Sequence, residues 1–313
     1  MFTKFLHGQS ELDTIAVDGT YNMLLQNKRL IHNTDLPLNK SYLIRICNLL
    51  KKYLLKEPTV LHLEPHVHIL GDLQGQYNYL WHFTKTPETT DKFLFLGDYC
   101  NKGRHSLEVL ALAFTMKLLQ PNQVFLLRGS CETPEICEKY GFKAECLRRF
   151  DQEVYDKFLE VFECLPLAAV ITNSAMLDKY DEHEKKTIIC MNGGISSDFH
   201  YISQHEAIQR PYKVPASGLV HGILFANPVK ESESKDNTKG SSSKGFTSQA
   251  THDFLKHNKL DYMIRAHQFE EDGYEYPYGE KDHSIITIYS APNNGKAQNA
   301  GAHIFLREDM LYH

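Results

Sequence analysis

Short apolar runs, each ending in small or polar residues, alternate with helical patterns along most of the chain. Six of them lack a clear inside-outside alternation, which is typical of strands buried on both faces. They are HVHILGD (66–72), KFLFLGD (92–98), QVFLLRG (123–129), TIICMNGG (187–194), DYMIRAH (261–267) and SIITIYSAP (284–292). Strands that alternate with helices predict a layered α/β architecture, whose ligands bind beyond the carboxyl ends of the strands.

Helical patterns lie before and between these runs. Residues 40–55 repeat apolar side chains at helical spacing and carry Lys and Arg on the other side, which predicts an amphipathic surface helix. Residues 106–119 are apolar nearly all round and predict a buried helix. A third helix is expected to open at Thr133-Pro134, with Thr as cap, and to end at Gly141. A fourth runs through residues 154–165.

Composition points to one large folded unit with one unusual segment. The chain has 313 residues and is 42% hydrophobic, which suits a single domain over 1–313 with its core at about 40–312. Residues 230–245 contain no apolar side chain. Burial cannot offset the entropy lost on ordering such a segment, so we predict a mobile surface loop there.

The charge and the cysteines limit the classes of partner. A formal net charge of −5 argues against a general nucleic-acid binder. The opening residues hold no apolar run long enough for a signal peptide, and no stretch approaches the ~18–20 apolar residues of a membrane span. The seven cysteines form no CxxC pair. We therefore expect a reduced cytoplasmic or nuclear protein with neither nucleic acid nor membrane as partner.

Polar residues at the ends of the predicted strands could form a metal site. Asp72 and Asp98 each follow a glycine directly after an apolar run, and His267 follows another run. Carboxylate and imidazole groups are metal ligands. Taken singly, however, a strand-end Asp is more often a turn residue, and a buried His is more often a core group. These residues alone leave both interpretations open.

Six segments resemble, in sequence order, the signature blocks of the phosphoprotein phosphatase (PPP) family of serine/threonine phosphatases. They are GDLQGQY, GDYCNKG, LLRGSCE, MNGGISSD, RAHQFEEDGYEY and SAPNNGKAQNAGA, against GDxHGQ, GDYxDRG, LLRGNHE, HGG, RAHQ and SAPNYC in the family. YGFKAECLRRF and FECLPLAA look most like the type 1 catalytic subunit. The resemblance covers about residues 40–312. It implies an α/β calcineurin-like metallophosphoesterase fold, a central β-sandwich flanked by helices, with two metal ions that activate water.

The resemblance also implies six metal-ligand positions, and half of them are altered. Three keep the residue of the family: Asp72, Asp98 (the bridging position) and His267. Three carry a neutral amide or hydroxyl instead: Gln74, Ser130 and Asn192. Such groups are poor ligands for a transition metal beside imidazole. We expect no cofactor, or at most a single weakly bound divalent ion such as Mn, Mg or Zn.

The positions for proton transfer and phosphate binding are altered as well. Cys131 stands where the family has the acid histidine, and Asn101 stands where it has the orienting aspartate. Lys102 replaces an arginine and cannot provide a bidentate fork. Asn227 occupies the position of a carboxylate. Cys131 is interpreted first as a small apolar filler, with a reactive thiol as the alternative.

Three hypotheses follow. The first is a catalytically inactive pseudophosphatase that binds phosphatase regulatory subunits or phosphoproteins. The groove used by type 1 phosphatases maps to Tyr262, Tyr276, Met310, Leu311 and Tyr312, for which plain core packing is the other interpretation. The second is a weak metal-dependent phosphatase. The third is a single zinc ion held by Asp72, Asp98, Cys131 and His267.

Overall fold

Two β-sheets packed face to face, with helices on their outer faces, form the molecule in the computed structural model. The structure describes residues 9–27, 34–83, 91–173, 186–230, 245–294 and 297–310. The helices are α1 (Glu11–Gln26), α2 (Lys40–Leu54), α3 (Tyr77–Phe83), α4 (Ser106–Leu119), α5 (Pro134–Tyr140), α6 (Phe142–Arg149), α7 (Gln152–Phe162), α8 (Ser203–Glu206), α9 (Leu219–Phe225) and α10 (Ser248–Asn258). The strands are β1 (Val60–Leu63), β2 (Val67–Leu70), β3 (Lys92–Phe95), β4 (Val124–Leu126), β5 (Ala168–Thr172), β6 (Thr187–Met191), β7 (Tyr262–Arg265), β8 (Tyr274–Glu275), β9 (Ile285–Ile288) and β10 (His303–Leu306).

The strand order places the predicted site residues on neighbouring strands. One sheet has the order β1-β5-β6-β7-β9-β8 and the other has the order β10-β2-β3-β4. Strands β2, β3 and β4 are parallel, as are β6, β7 and β9. Their carboxyl ends therefore meet along one edge in each sheet, and those are the ends at which the polar clusters of the sequence follow.

Three apolar clusters hold the layers together. One lies between the sheets and combines residues such as Ile69 and Leu94 of one sheet with Ile188 and Ile264 of the other. A second packs the helices before residue 166 against the four-stranded sheet. A third packs α9 and α10 against the six-stranded sheet. This arrangement confirms the predicted α/β fold with a central β-sandwich flanked by helices.

The predicted helices are present, with one difference in capping. Every residue of α4 is buried, as its all-round apolar character requires. Helix α5 begins after Thr133 and ends at Gly141, whose φ of 110° is readily adopted only by glycine. The Thr133 hydroxyl makes no capping bond within the helix. It donates to the carbonyl oxygen of Ser130 instead, at 2.8 Å, and so ties the helix start to the turn after β4.

Some elements were not predicted, and some predictions fall outside the described residues. Helix α1 precedes the expected core, yet it packs against α2 and α4 and buries Val17 and Leu24. The predicted loop at 230–245 lies outside the described residues except for its two end residues. The single domain over 1–313 stays a prediction. Among the described residues, no helix is long and apolar enough to cross a bilayer.

Candidate active site

The carboxylate of Asp98 lies at the centre of the strand-end cluster. Asp98 follows β3, is 2% exposed, and accepts the backbone N–H of Cys131 at 2.7 Å on Oδ1. The Ser130 hydroxyl lies 3.2 Å from Oδ1 and 3.1 Å from Oδ2. His267 Nδ1 approaches Oδ2 at 3.6 Å, which is ion-pair distance rather than a hydrogen bond. Groups that follow two other strands, β4 and β7, thus converge on one buried carboxylate at the end of β3.

Asp72 is bonded to donors from both sides of the cluster. Asp72 follows β2 and is 1% exposed. Its Oδ1 accepts the backbone N–H of His267 at 2.8 Å, and its Oδ2 accepts Nε2 of Gln74 at 3.0 Å. The same Gln74 amide nitrogen lies 3.6 Å from Sγ of Cys131. The Gln74 amide therefore lies between Asp72 and Cys131 and bonds to both.

Asn192 connects the cluster to the backbone of two other strands. It follows β6 and is completely buried. Its Oδ1 accepts the backbone N–H of Ser130 at 3.1 Å, and its Nδ2 donates to the carbonyl oxygen of Leu96 at 3.1 Å. Both ends of the amide are thus satisfied by main-chain groups, as a buried amide requires.

The two carboxyl groups have pKa values that move in opposite directions. Burial, together with the nearby negative charge of Asp98, raises the pKa of Asp72 well above its usual range. Burial also opposes ionisation of Asp98, but His267 and the donors Cys131 and Ser130 lower its pKa. This separation is typical of two acidic groups that share one buried region, because only one of them ionises readily.

The backbone at four of these positions has positive φ. The values are 46° at Gln74, 55° at Asp98, 86° at Asn101 and 71° at His267. A non-glycine residue with positive φ is uncommon, and such residues cluster at ligand sites, where the surroundings enforce them. The turns that carry the candidate site are therefore strained both at the altered positions Gln74 and Asn101 and at Asp98 and His267.

Cys131 and Asn101, at the family's positions for the acid histidine and its orienting aspartate, lie close together, but neither is an imidazole. Asn101 Nδ2 lies 3.5 Å from the carbonyl oxygen of Cys131 and 3.5 Å from Sγ of Cys100. Asn101 Oδ1 accepts the backbone N–H of Phe142 at 3.3 Å. Burial, together with the charge of Asp98, raises the pKa of the Cys131 thiol well above its usual value. A protonated buried thiol matches the filler interpretation of Cys131. Lys102, at the altered phosphate-binding position, is exposed to solvent.

Two buried charged residues beside the cluster were missed in the sequence. Glu132 is completely buried, and its carboxylate accepts the backbone N–H groups of Asp98, Tyr99 and Gly129 at 2.8–3.0 Å. Arg265 is also completely buried, and its guanidinium donates to the carbonyl oxygen of Gly193 at 2.6 Å. The signal for both was a charged residue within or directly after an apolar strand run. Both fix the turns that carry the candidate site.

The strand-end cluster, its buried carboxylates and the two-sheet frame can now be compared with known proteins. The family model described as calcineurin-like phosphoesterase matches residues 65–271. The chain belongs to the calcineurin-like phosphoesterase family. The matched residues 65–271 run from just before β2 to just before β8, and they contain all six positions implied for metal ligands.

Solved structures agree with this membership. The chain is similar to a protein serine/threonine phosphatase from Saccharomyces cerevisiae that has similarity to human phosphatase PP5. The two share 27% identity over 95% of this chain and 89% of that chain, with a TM-score of 0.75. A cold-active protein-tyrosine phosphatase from a psychrophilic Shewanella species covers 83% of both chains at 17% identity, with a TM-score of 0.50. The second likeness concerns the fold alone. The first supports membership of the PPP family of serine/threonine phosphatases.

The donor chemistry does not fit the two metal ions implied by the resemblance. Donor hydrogens of Gln74 and Ser130 are directed at the carboxylate oxygens that metal ions would need. In the part of the chain that the structure describes, no group of three or more His, Cys, Asp or Glu side chains is arranged to hold a metal ion. The zinc set of the third hypothesis is therefore not found as such a group. We assign no chemical step to a metal in this protein.

The predicted docking residues lie at the margin of the core between the sheets. Met310 is 1% exposed and belongs to that core, as the packing interpretation expects. Tyr262 and Tyr276 are partly buried against the same core, and the Tyr262 hydroxyl donates to the carbonyl oxygen of Met310 at 3.3 Å. Tyr262 also lines an open pocket of about 610 Å³. Leu311 and Tyr312 lie outside the described residues.

Proposed function

We propose that this member of the calcineurin-like phosphoesterase family is a pseudophosphatase of the PPP type, closest to the type 1 catalytic subunit, that acts by binding proteins. One observation carries the proposal. The oxygen atoms of Asp72 and Asp98 are engaged by the Gln74 amide, the Ser130 hydroxyl and two backbone N–H groups. In an active two-metal site those oxygens bind cations.

The missing acid supports the same proposal. General acid–base assistance contributes about 10²–10⁴ in rate, and the most common group for it is histidine. Here the corresponding position is Cys131, whose thiol is buried beside Gln74 and Asn101. No imidazole occupies that position, so leaving-group protonation by the usual route is not available.

The proposed partner is a phosphatase regulatory subunit or a phosphoprotein that docks an extended segment near Tyr262. Supporting features are the partly buried Tyr262 and Tyr276 and the open pocket of about 610 Å³ that Tyr262 lines. An extended peptide at such a site gains affinity from main-chain hydrogen bonds and specificity from side-chain pockets.

Two measurements test this proposal together. The first is hydrolysis of a phosphopeptide and of an aryl phosphate with added Mn²⁺. The second is binding, by fluorescence anisotropy, of a labelled peptide from a regulatory subunit of type 1 phosphatases. We expect no hydrolysis above buffer and saturable binding that Tyr262→Ala abolishes. Tyr201→Ala, at a tyrosine that is 53% exposed, is the matched control and should bind normally. Absence of binding by the unaltered chain would contradict the docking role.

A weak metal-dependent phosphatase is the second candidate. His267 Nδ1 is buried beside Asp98 and has no hydrogen-bond partner among the described residues. An imidazole nitrogen and a carboxylate placed in this way could together bind one metal ion. Uncatalysed phosphomonoester hydrolysis is so slow that a damaged site can still exceed it by a large factor. Metal-stimulated hydrolysis that disappears in Asp98→Asn would establish this candidate. Activity that is unchanged in that variant would exclude the site as its source.

A further inference from the structure

One of the altered strand-end residues, Asn192, links the two sheets to each other. Asn192 follows β6 of the six-stranded sheet, whereas both of its hydrogen-bond partners follow strands of the four-stranded sheet. Its Oδ1 accepts from Ser130, which follows β4, and its Nδ2 donates to Leu96, which follows β3. One buried amide therefore joins a strand of one sheet to two strands of the other.

A second link crosses between the sheets at Asp72. The carboxylate follows β2 and accepts the backbone N–H of His267, which follows β7 of the opposite sheet. Gln74 bonds the other oxygen of the same carboxylate at 3.0 Å. Ser130 plays the corresponding role for Asp98. Gln74 and Ser130 thus each bond a buried carboxylate, and Asn192 bridges the two sheets.

We propose that Gln74, Ser130 and Asn192 form an internal clamp that makes folding of this chain independent of metal ions. In this clamp Gln74 and Ser130 bond the two buried carboxylates, and Asn192 joins the two sheets. Two buried carboxylates without cations or donors would repel each other and lack partners, which is unfavourable. The clamp supplies donor hydrogens to both. A cation at the same oxygens would displace these hydrogens, so clamp and metal exclude each other. The inference concerns folding and does not depend on whether the chain binds a partner.

The melting temperature in EDTA and in Mn²⁺ tests metal independence. For the unaltered chain we expect the Tm in EDTA and in millimolar Mn²⁺ to agree within about 1 °C, because a ligand that does not bind the folded state does not stabilise it. The triple variant Gln74→His, Ser130→Asn, Asn192→His restores the ligand types of the family. Its Tm should rise in Mn²⁺ and fall in EDTA. A Tm of the unaltered chain that falls in EDTA would overturn the proposal.

Single variants test the clamp even if the triple variant does not fold. Asn192→Ala leaves two buried main-chain groups without partners and should lower Tm by at least about 4 °C. The matched control is Ser196→Ala, because the Ser196 hydroxyl is buried without a partner among the described residues. That control should shift Tm by less than about 1 °C. Equal Tm values for Asn192→Ala and the unaltered chain would refute the clamp, whatever the result of the peptide-binding experiment.

Discussion

Arg265 is a completely buried cation held by neutral acceptors. Its Nη2 donates to the carbonyl oxygen of Ala226 at 3.2 Å and to Oδ1 of Asn227 at 3.0 Å, and its Nη1 donates to Oε1 of Gln268 at 2.5 Å. Burial lowers the pKa of Arg265 to about 10. A carboxylate stabilises a guanidinium more than a neutral carbonyl oxygen does. A carboxylate at position 227 should therefore change the free energy of unfolding.

Asn227→Asp is expected to stabilise the protein. Asn227 is half-buried, so an aspartate there keeps part of its hydration while it forms a charge-assisted bond to Arg265. The gain should be about 1–2 kcal/mol in the free energy of unfolding, measured by urea denaturation. Asn227→Ala, which removes the acceptor without adding charge, should be destabilising. A lower urea midpoint for the aspartate variant would show that desolvation outweighs pairing.

His205 makes stability depend on pH. Its imidazole is completely buried against the Phe199 ring, with ring centroids 3.8 Å apart, and neither ring nitrogen has a partner in the described ranges. Burial lowers the pKa of His205 to about 3, from an ordinary value of 6.5. At pH values between these two pKa values, His205 is protonated in the unfolded chain and neutral in the folded chain. The contribution of His205 to stability is therefore complete above pH 6.5 and declines towards pH 3.

The measurement for His205 is the urea midpoint between pH 7.5 and pH 4.5. His205→Phe keeps an aromatic ring beside Phe199 but cannot titrate, so its stability should fall less steeply as the pH is lowered. The difference in slope should approach about 1.4 kcal/mol per pH unit, which corresponds to one proton. Parallel pH profiles for the two proteins would mean that His205 is hydrated or partnered in solution.

At the scale of elements, the turns after β3 and β4 are in direct contact. Gly97 has a φ of 106°, and a Cβ added to it would lie 2.3 Å from the backbone nitrogen of Gly129. A Cβ on Gly129 would lie 2.3 Å from Oδ1 of Asp98 and 2.8 Å from a Glu132 oxygen. Glycine at both positions is thus what allows two strand ends, and the site residues they carry, to approach so closely.

Gly129→Ala should therefore be strongly destabilising. The added methyl group meets backbone and buried carboxylate atoms that cannot move aside, so we expect a loss of about 3 kcal/mol or more in urea denaturation. Gly19→Ala in α1 is the matched control, because its Cβ would only reach Tyr42 at 3.7 Å. That substitution should be stabilising by about 0.5–1 kcal/mol, since it replaces glycine within a helix. Equal effects of the two substitutions would contradict the close-packed turn.

At the scale of the whole molecule, local patterns predicted β2, β3, β4, β6, β7 and β9 because apolar runs mark these strands. Strands β1, β5, β8 and β10 were not predicted. The exposed His62 interrupts the apolar residues of β1, β8 consists of two exposed residues, and β10 begins with the half-buried His303. Helix α1 was missed because small side chains supply much of its buried face, while Leu12 and Ile15 are exposed.

The identities of the altered site residues were likewise visible in the sequence, but their interactions were not. Asp72 and His267 are 195 positions apart in the chain, and Ser130 and Asn192 are 62 positions apart. No short-range periodicity specifies which donor meets which acceptor across two sheets. The sequence therefore identified lost ligands, and only the packed structure indicates that the replacements bond to one another.

We expect helix α1 to belong energetically to the same folded unit as the sheets, because buried side chains bond to it. The Tyr77 hydroxyl donates to the carbonyl oxygen of Leu24, and Trp81 Nε1 donates to that of Leu25 at 3.1 Å. A chain that begins at residue 28 would expose these donors and the apolar surface under Val17 and Leu24, and it should lose about 3 kcal/mol or more of stability.

In the full chain, Leu24→Ala should reproduce about 2–5 kcal/mol of destabilisation, whereas Leu12→Ala, at a residue that is 55% exposed, should change little. Urea denaturation followed by both tryptophan fluorescence and circular dichroism measures these differences. An unchanged midpoint after removal of α1 would place the helix outside the cooperative unit, because packing that contributes to the core cannot be removed without loss of stability.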